Sequence, residues 1–139
     1  MRLALALALA ALAFATPALA GSGTCIPSCE VPSHLTLGFI PIVTVVERGS
    51  TVTWTAMDMG HTATSYADLA VCFDTHYTRS SPGQAWFTIS DGKLFAISEW
   101  NDGALTECGN ALALPDGSFS VDYTCVYHPS TMNGTLLIR

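Results

Sequence analysis

Cys125, His128 and Met132 fall within eight residues near the C-terminus, in the run Tyr123-Thr-Cys125-Val-Tyr-His128-Pro-Ser-Thr-Met132. A thiolate, an imidazole and a thioether are soft or borderline donors, and a trigonal set of two His and one Cys with a weak axial Met suits a copper ion that exchanges one electron. The second histidine has to come from elsewhere, and His61, in Asp58-Met-Gly-His61, supplies it from a segment that the fold must bring alongside. The alternative reading is a buried thiol, a surface histidine and a core methionine that are neighbours by chance, since a short pattern of this kind matches by accident.

The elements that would position these donors are strands. Phe119, Val121, Tyr123 and Cys125 alternate onto one face, so the cysteine sulfur points inward. Pro129 lacks an N–H and cannot continue a ladder. Asn133-Gly134 reads as turn chemistry that hands the chain to a last strand, Thr135 to Ile138. Three donors are then held by one short loop between two paired strands.

With these residues the chain resembles the cupredoxins, the small blue copper proteins of the plastocyanin and pseudoazurin kind. Two blocks carry the resemblance: residues 37–54 followed by His61, and residues 116–138, together a little under half of the chain. It implies an all-β Greek-key sandwich, one mononuclear type 1 copper ion, one-electron transfer between redox proteins, and His61, Cys125, His128 and Met132 as the metal ligands. In relatives the histidine of the C-terminal loop, here His128, meets solvent through an apolar patch and passes the electron; Tyr127 and Pro129 flank it. Thr62 stands where many relatives have an Asn that ties the ligand loops together, and Val126 stands where Ser or Thr is frequent.

Residues 1–20 read as a secretory signal: Arg2 is the charged start, Leu3 to Phe14 the apolar stretch, and Ala18-Leu19-Ala20 the small-residue cleavage site. The apolar stretch is about twelve residues, short of the roughly twenty needed to span a bilayer. Its loss leaves about 119 residues, an irregular arm at 21–34 and one copper-binding domain at 35–139. The expected location is periplasmic or extracellular. The whole chain carries a net charge of −6, and the mature part keeps four basic residues against eleven acidic ones. That balance argues against nucleic acid and anionic lipid as partners and is compatible with a redox partner that docks through a basic surface. A monomer without stable membrane insertion is expected.

Five cysteines in an exported chain leave four beside Cys125: Cys25, Cys29, Cys72 and Cys108. An even number suits disulfides in an oxidising compartment. Three connectivities exist. The favoured one joins Cys25 to Cys29, within one short Pro-containing segment, and Cys72 to Cys108, which closes the central insertion. A second metal site at Cys25 and Cys29 lacks accompanying His or carboxylate ligands.

Ahead of His61, Leu35 to Val46 reads as a strand broken at Pro41, Glu47 to Ser50 as a turn, and Thr51 to Ala56 as a strand with Val52 and Trp54 inward, in hairpin patterning. Met57, Met59 and His61 alternate, so the two thioethers either fill apolar space around the histidine or offer a transient Cu(I) site; the filling role is favoured. Gly60 permits a close backbone approach to the ligand loop. The resemblance covers residues 66–115 worst. Only Ser80 to Ile89 looks familiar there, and Asp91-Gly92 and Asn101-Asp102-Gly103 mark turns around a short strand, Lys93 to Ile97. This insertion is either a disulfide-pinned hairpin or a partner-docking or copper-shielding flap. His34 and His76 lack ligand spacing and read as surface residues.

Three function classes follow. An electron carrier leads; a copper storage or delivery protein and a metal-free β-sandwich interaction module are the alternatives. Catalytic turnover is not expected, because a closed His2Cys-Met site offers no open coordination position and no hydrolase pattern is present.

Overall fold

The computed structural model describes residues 24–65 and 71–139. The expected leader at 1–20, the start of the arm and the beginning of the central insertion lie outside the described residues. What is described is a sandwich of two sheets. In the first, β1 (Thr24–Cys25), β4 (Val43–Val46), β13 (Asn133–Ile138), β12 (Phe119–Thr124), β6 (His61–Ser65) and β7 (Asp74–Tyr77) lie side by side in that order, and β11 (Leu112–Ala113) also pairs with β12. The second runs β10 (Thr106–Glu107), β9 (Lys93–Ser98), β8 (Gly83–Ser90), β5 (Thr51–Ala56), β2 (Ser28–His34) and β3 (Gly38–Phe39). Parallel pairing occurs at β1 with β4, β4 with β13 and β2 with β5; the other pairs are antiparallel.

Alternation in the sequence builds the core directly. Val52, Trp54 and Ala56 of β5 and Phe119, Val121 and Tyr123 of β12 are buried, with the intervening residues turned outward or half-buried. Trp54 stacks on Phe73 at 5.5 Å and meets Tyr123 edge-on at 5.6 Å. Phe73 stands perpendicular to Phe87 at 5.3 Å, and Tyr123 lies 4.6 Å from Phe39. Offset and edge-on pairs of this kind add to the burial of apolar area. Among the described residues helical structure amounts to one 3-10 turn, Glu99–Asn101.

Several sequence expectations are corrected. Ser28–His34 is a full strand rather than an irregular arm: it pairs in parallel with β5 from Ser28 against Thr51 to Ser33 against Ala56. Its buried positions, Val31 and Ser33, are too few and too polar to mark a strand by pattern. Leu35 to Val46 is not one broken strand, because β3 joins the second sheet and β4 the first. The crossing takes place at Pro41, which has no N–H to give to either ladder. Glu47 to Ser50 likewise passes between sheets and is not a hairpin turn. The Asp91-Gly92 turn is as read: both residues have positive φ, 49° and 68°, as a two-residue hairpin loop between right-twisted strands requires.

Asn133-Gly134 is not a turn either. Both residues lie in β13, and Gly134 stands opposite Tyr123. A Cβ at Gly134 would come within 2.5 Å of Tyr123 Cζ and 2.6 Å of its hydroxyl. The glycine is the bed on which the ring lies. It is required by the volume of Tyr123, not by backbone conformation.

Two disulfides close the sandwich, Cys25–Cys29 and Cys72–Cys108. Each links the two sheets. The first runs from β1 to β2, and the second runs from the residues just before β7 to the residue just after β10.

Two outcomes follow for stability. Gly134→Ala should cost about 1–3 kcal/mol through overpacking against Tyr123, read as a lower denaturation midpoint with an unchanged m-value. Replacing Cys72 and Cys108 by Ala should cost more than replacing Cys25 and Cys29, since the chain-entropy estimate is about 4 kcal/mol for the longer loop and about 2 kcal/mol for the shorter. Guanidinium titration of the two double variants measures the order.

Candidate metal centre

The centre is built where β6 begins and β12 ends. Antiparallel pairing sets Thr64 against Thr124 and Ser65 against Tyr123, so the start of β6 projects beyond the end of β12 toward the loop that follows it. His61 is the first residue of β6 and Cys125 the first after β12. Both are buried, at 1% and 0% exposure, and Cys125 is the one cysteine without a disulfide partner.

The 125–132 loop folds on its own backbone. His128 N–H donates to Cys125 O at 3.0 Å, Thr131 and Met132 N–H both donate to His128 O, and Cys125 N–H donates to Met132 O at 3.0 Å. Thr124 Oγ1 donates to the same Met132 carbonyl at 2.9 Å. The closure returns Met132, fully buried, to the level of Cys125. His128 is half-buried, while Val126 and Tyr127 beside it are exposed.

Three ligand atoms converge. Cys125 Sγ lies 3.9 Å from His61 Nδ1 and 3.5 Å from His128 Nδ1, and the three atoms are all within 4.8 Å of one another. Bonds of about 2.0 Å to nitrogen and 2.3 Å to sulfur, opened to a trigonal angle, would separate N from S by about 3.7 Å, between the two distances found. Both sulfur–nitrogen separations therefore match those around a single first-row ion, and the softness of the donor set suits copper.

The surroundings fix each donor. Thr62 N–H donates to Cys125 Sγ at 3.3 Å, and Thr62 Oγ1 accepts the Val126 N–H at 2.9 Å. Thr62 thus ties the two ligand loops together, in the position where the resemblance leads one to look for an Asn. His61 is held from behind: its Nε2 lies 2.6 Å from Asp58 Oδ1, which commits Nε2 as donor and leaves Nδ1 as the lone-pair nitrogen facing the sulfur. Asp58 Oδ2 accepts the Leu35 N–H at 2.8 Å. Burial raises the Asp58 carboxyl, but the Leu35 N–H and the His61 imidazole outweigh it and hold the pKa at about 2. Tyr77, whose ring lies 6.1 Å from that of His61, is pushed well above the ordinary tyrosine range by burial.

Of the residues singled out in the sequence, His61, Cys125 and His128 come together and Met132 is buried at the end of the same loop. Met57 and Met59 do not fill space beside His61: they are 48% and 50% exposed, in a bend before β6 rather than an extended run. Gly60 faces Tyr77 O and Thr78, at ordinary van der Waals distance, rather than the ligand loop. Surface positions were expected for His34 and His76. His76 is open to solvent, yet it approaches the Tyr127 hydroxyl at 3.4 Å; His34 is partly covered and reaches Asp58 at 3.7 Å. Sequence reasoning missed Asp58, although its place three residues before His61 was a usable signal.

Asp58→Asn should weaken metal affinity by about 10–100-fold, the usual effect of losing a partner of a ligand histidine, while far-UV circular dichroism stays unchanged; competition with a chromogenic chelator measures it. No family model matches the chain, and no curated protein matches it in sequence. Among solved structures it is similar to the reduced state of an amicyanin mutant, a cupredoxin, with 19% identity, 81% of this chain and 82% of that one covered, and a TM-score of 0.49. Two β-sheets frame a His–Cys–His cluster, and its donor set fits a type 1 copper ion.

Proposed function

We propose that the protein is an exported carrier of single electrons that works with one copper ion, held by His61 Nδ1, Cys125 Sγ and His128 Nδ1 with Met132 as the weak axial donor. The observation that carries this reading is the convergence of a buried, unpaired thiol and two imidazole nitrogens from two separate stretches of chain onto one ion-sized space. When bound, copper supplies a one-electron couple between Cu(II) and Cu(I). The chain's own part is placement. Asp58 keeps the His61 ring in one tautomer, Thr62 holds both loops, and the bonds on Met132 O close the third side, so the donors keep their positions whichever charge they face. Half-buried His128, with Val126 and Tyr127 exposed next to it, is the side on which a partner gains access.

The acidic chain suits a redox partner with a basic docking surface, through steering that salt weakens. Two disulfides and the leader-like residues 1–20 support a periplasmic or extracellular location. Copper storage or delivery is the second reading, favoured by the exposed thioethers of Met57 and Met59.

The test is the visible and EPR spectrum of the purified protein after addition of Cu(II), with Cys125→Ser alongside. The expected outcome is an intense thiolate-to-copper band, absent from the variant and bleached reversibly by reductant. A protein that stays colourless with Cu(II) and binds Cu(I) alone would move the assignment to copper handling, and one that binds neither would make it a structural module.

A further inference from the structure

On the outer face of the second sheet lies a hollow of about 420 Å³ lined by Thr51, Pro82, Gln84, Trp86, Ile97 and Glu99. Strand register brings these residues together: Thr51 stands opposite Trp86, and Trp86 opposite Ile97. Ala85, Phe87 and Ala96 are buried in the core, so their strand neighbours Trp86 and Ile97 point away from it and are left half-buried. The Trp86 indole N–H donates to Gly49 O at 3.0 Å, and Gln84 Nε2 donates to Thr53 Oγ1 at 3.1 Å. Both side chains are thereby held against the sheet, and the hollow keeps its shape.

One carboxylate lines this hollow and is fixed in place. Glu99 Oε1 accepts both the Thr75 hydroxyl and the His76 N–H at 2.7 Å, and the turn that carries Glu99 is closed by Ser98 N–H donating to Asn101 Oδ1 at 3.0 Å. With Oε1 committed, Oε2 of this exposed residue is the oxygen open to a donor from outside. The surrounding charge has one sign. Residues 84–107 carry four acids, Asp91, Glu99, Asp102 and Glu107, and one base, Lys93, whose ammonium is committed to Glu107 at 3.0 Å. An apolar hollow with one open carboxylate oxygen fits a lysine side chain, whose methylene stem covers apolar surface while its ammonium meets a single acceptor. The guanidinium fork of an arginine is matched by two open oxygens.

We propose that this hollow is the docking point of a basic redox partner, which seats a lysine between Trp86 and Glu99. This rests on the carrier reading given above, since a carrier needs a partner. The acidic surroundings steer a basic surface toward the hollow, and the seated lysine anchors it as a central contact in a surface of otherwise weak ones. The hollow also adjoins the ligand loop by two contacts. Glu99 holds the His76 N–H, and His76 Nδ1 lies 3.4 Å from the hydroxyl of Tyr127, the residue before His128. A partner anchored at Glu99 therefore sits on the flank of that loop.

The probe is pentalysine, added at low salt to the purified protein without copper and followed through its backbone and indole N–H signals by NMR. The expected result is that the Trp86 indole and Glu99 backbone signals move most, and that Glu99→Gln and Gln84→Lys each weaken binding by about fivefold or more. Gln84 is exposed, so the new lysine leaves the fold intact and places a competing cation in the hollow. Asp122→Asn removes the same charge from the other sheet and should change binding less than about twofold. Unmoved Trp86 and Glu99 signals, or an Asp122→Asn loss as large as that of Glu99→Gln, would overturn the site. The copper spectrum separates the two readings. Pentalysine bound at Trp86 with no thiolate-to-copper band upholds the docking point and removes the carrier, and a band with no binding at Trp86 does the reverse.

Discussion

Thr62 is the contact on which the centre depends, because it is where two stretches of chain 64 residues apart are fastened atom to atom. Its N–H points at the Cys125 sulfur and its hydroxyl accepts the Val126 N–H. A buried thiolate has no water to solvate it, so an aimed N–H both stabilises the charge and sets the direction of the sulfur. Strand pairing delivers Thr62 to that place. The short ladder between β6 and β12 covers Thr64–Ser65 and Tyr123–Thr124, just before the ligands begin. The convergence of the donors is thus an extension of β-sheet register, and a slip of one residue would turn His61 and Cys125 away from each other.

The aromatic core supports this from beneath. Tyr123 is shared: its ring touches Phe39, Phe73 and Trp54, its backbone pairs with β6 and β13, and Cys125 lies two residues on, on the same face. Gly134 makes room for that ring. Rigidity at the ligands therefore comes from filled volume as much as from hydrogen bonds.

Much of this was legible in the sequence. The inward face of β12, the His–Cys–His donors and the Asp91-Gly92 turn are written as local patterns of period two, donor spacing and turn chemistry. What pattern could not convey was partnership across the sandwich. β2 looks like a loop because Cys, Glu, Pro and Ser fill it, and only its parallel ladder with β5 makes it a strand. Gly134 looks like a turn residue because a sequence shows a missing side chain but not the ring opposite. Met57 and Met59 look like packing because exposure is decided by where Asp58 turns. Asp58 sits three residues before His61, but its role comes from the turn that points its carboxylate at Nε2.

Five cysteines in one small domain pose a sorting problem, since thiol–disulfide exchange needs a thiolate that can reach the sulfur it attacks. Four of them are used up at the margins of the sandwich, in links that run from one sheet to the other. The fifth is shut beneath the closed 125–132 loop, with no exposed surface. Folding itself therefore acts as the selectivity filter: with β12 and β13 zipped and the loop closed, the one unpaired sulfur is beyond the reach of oxidants and of its four siblings.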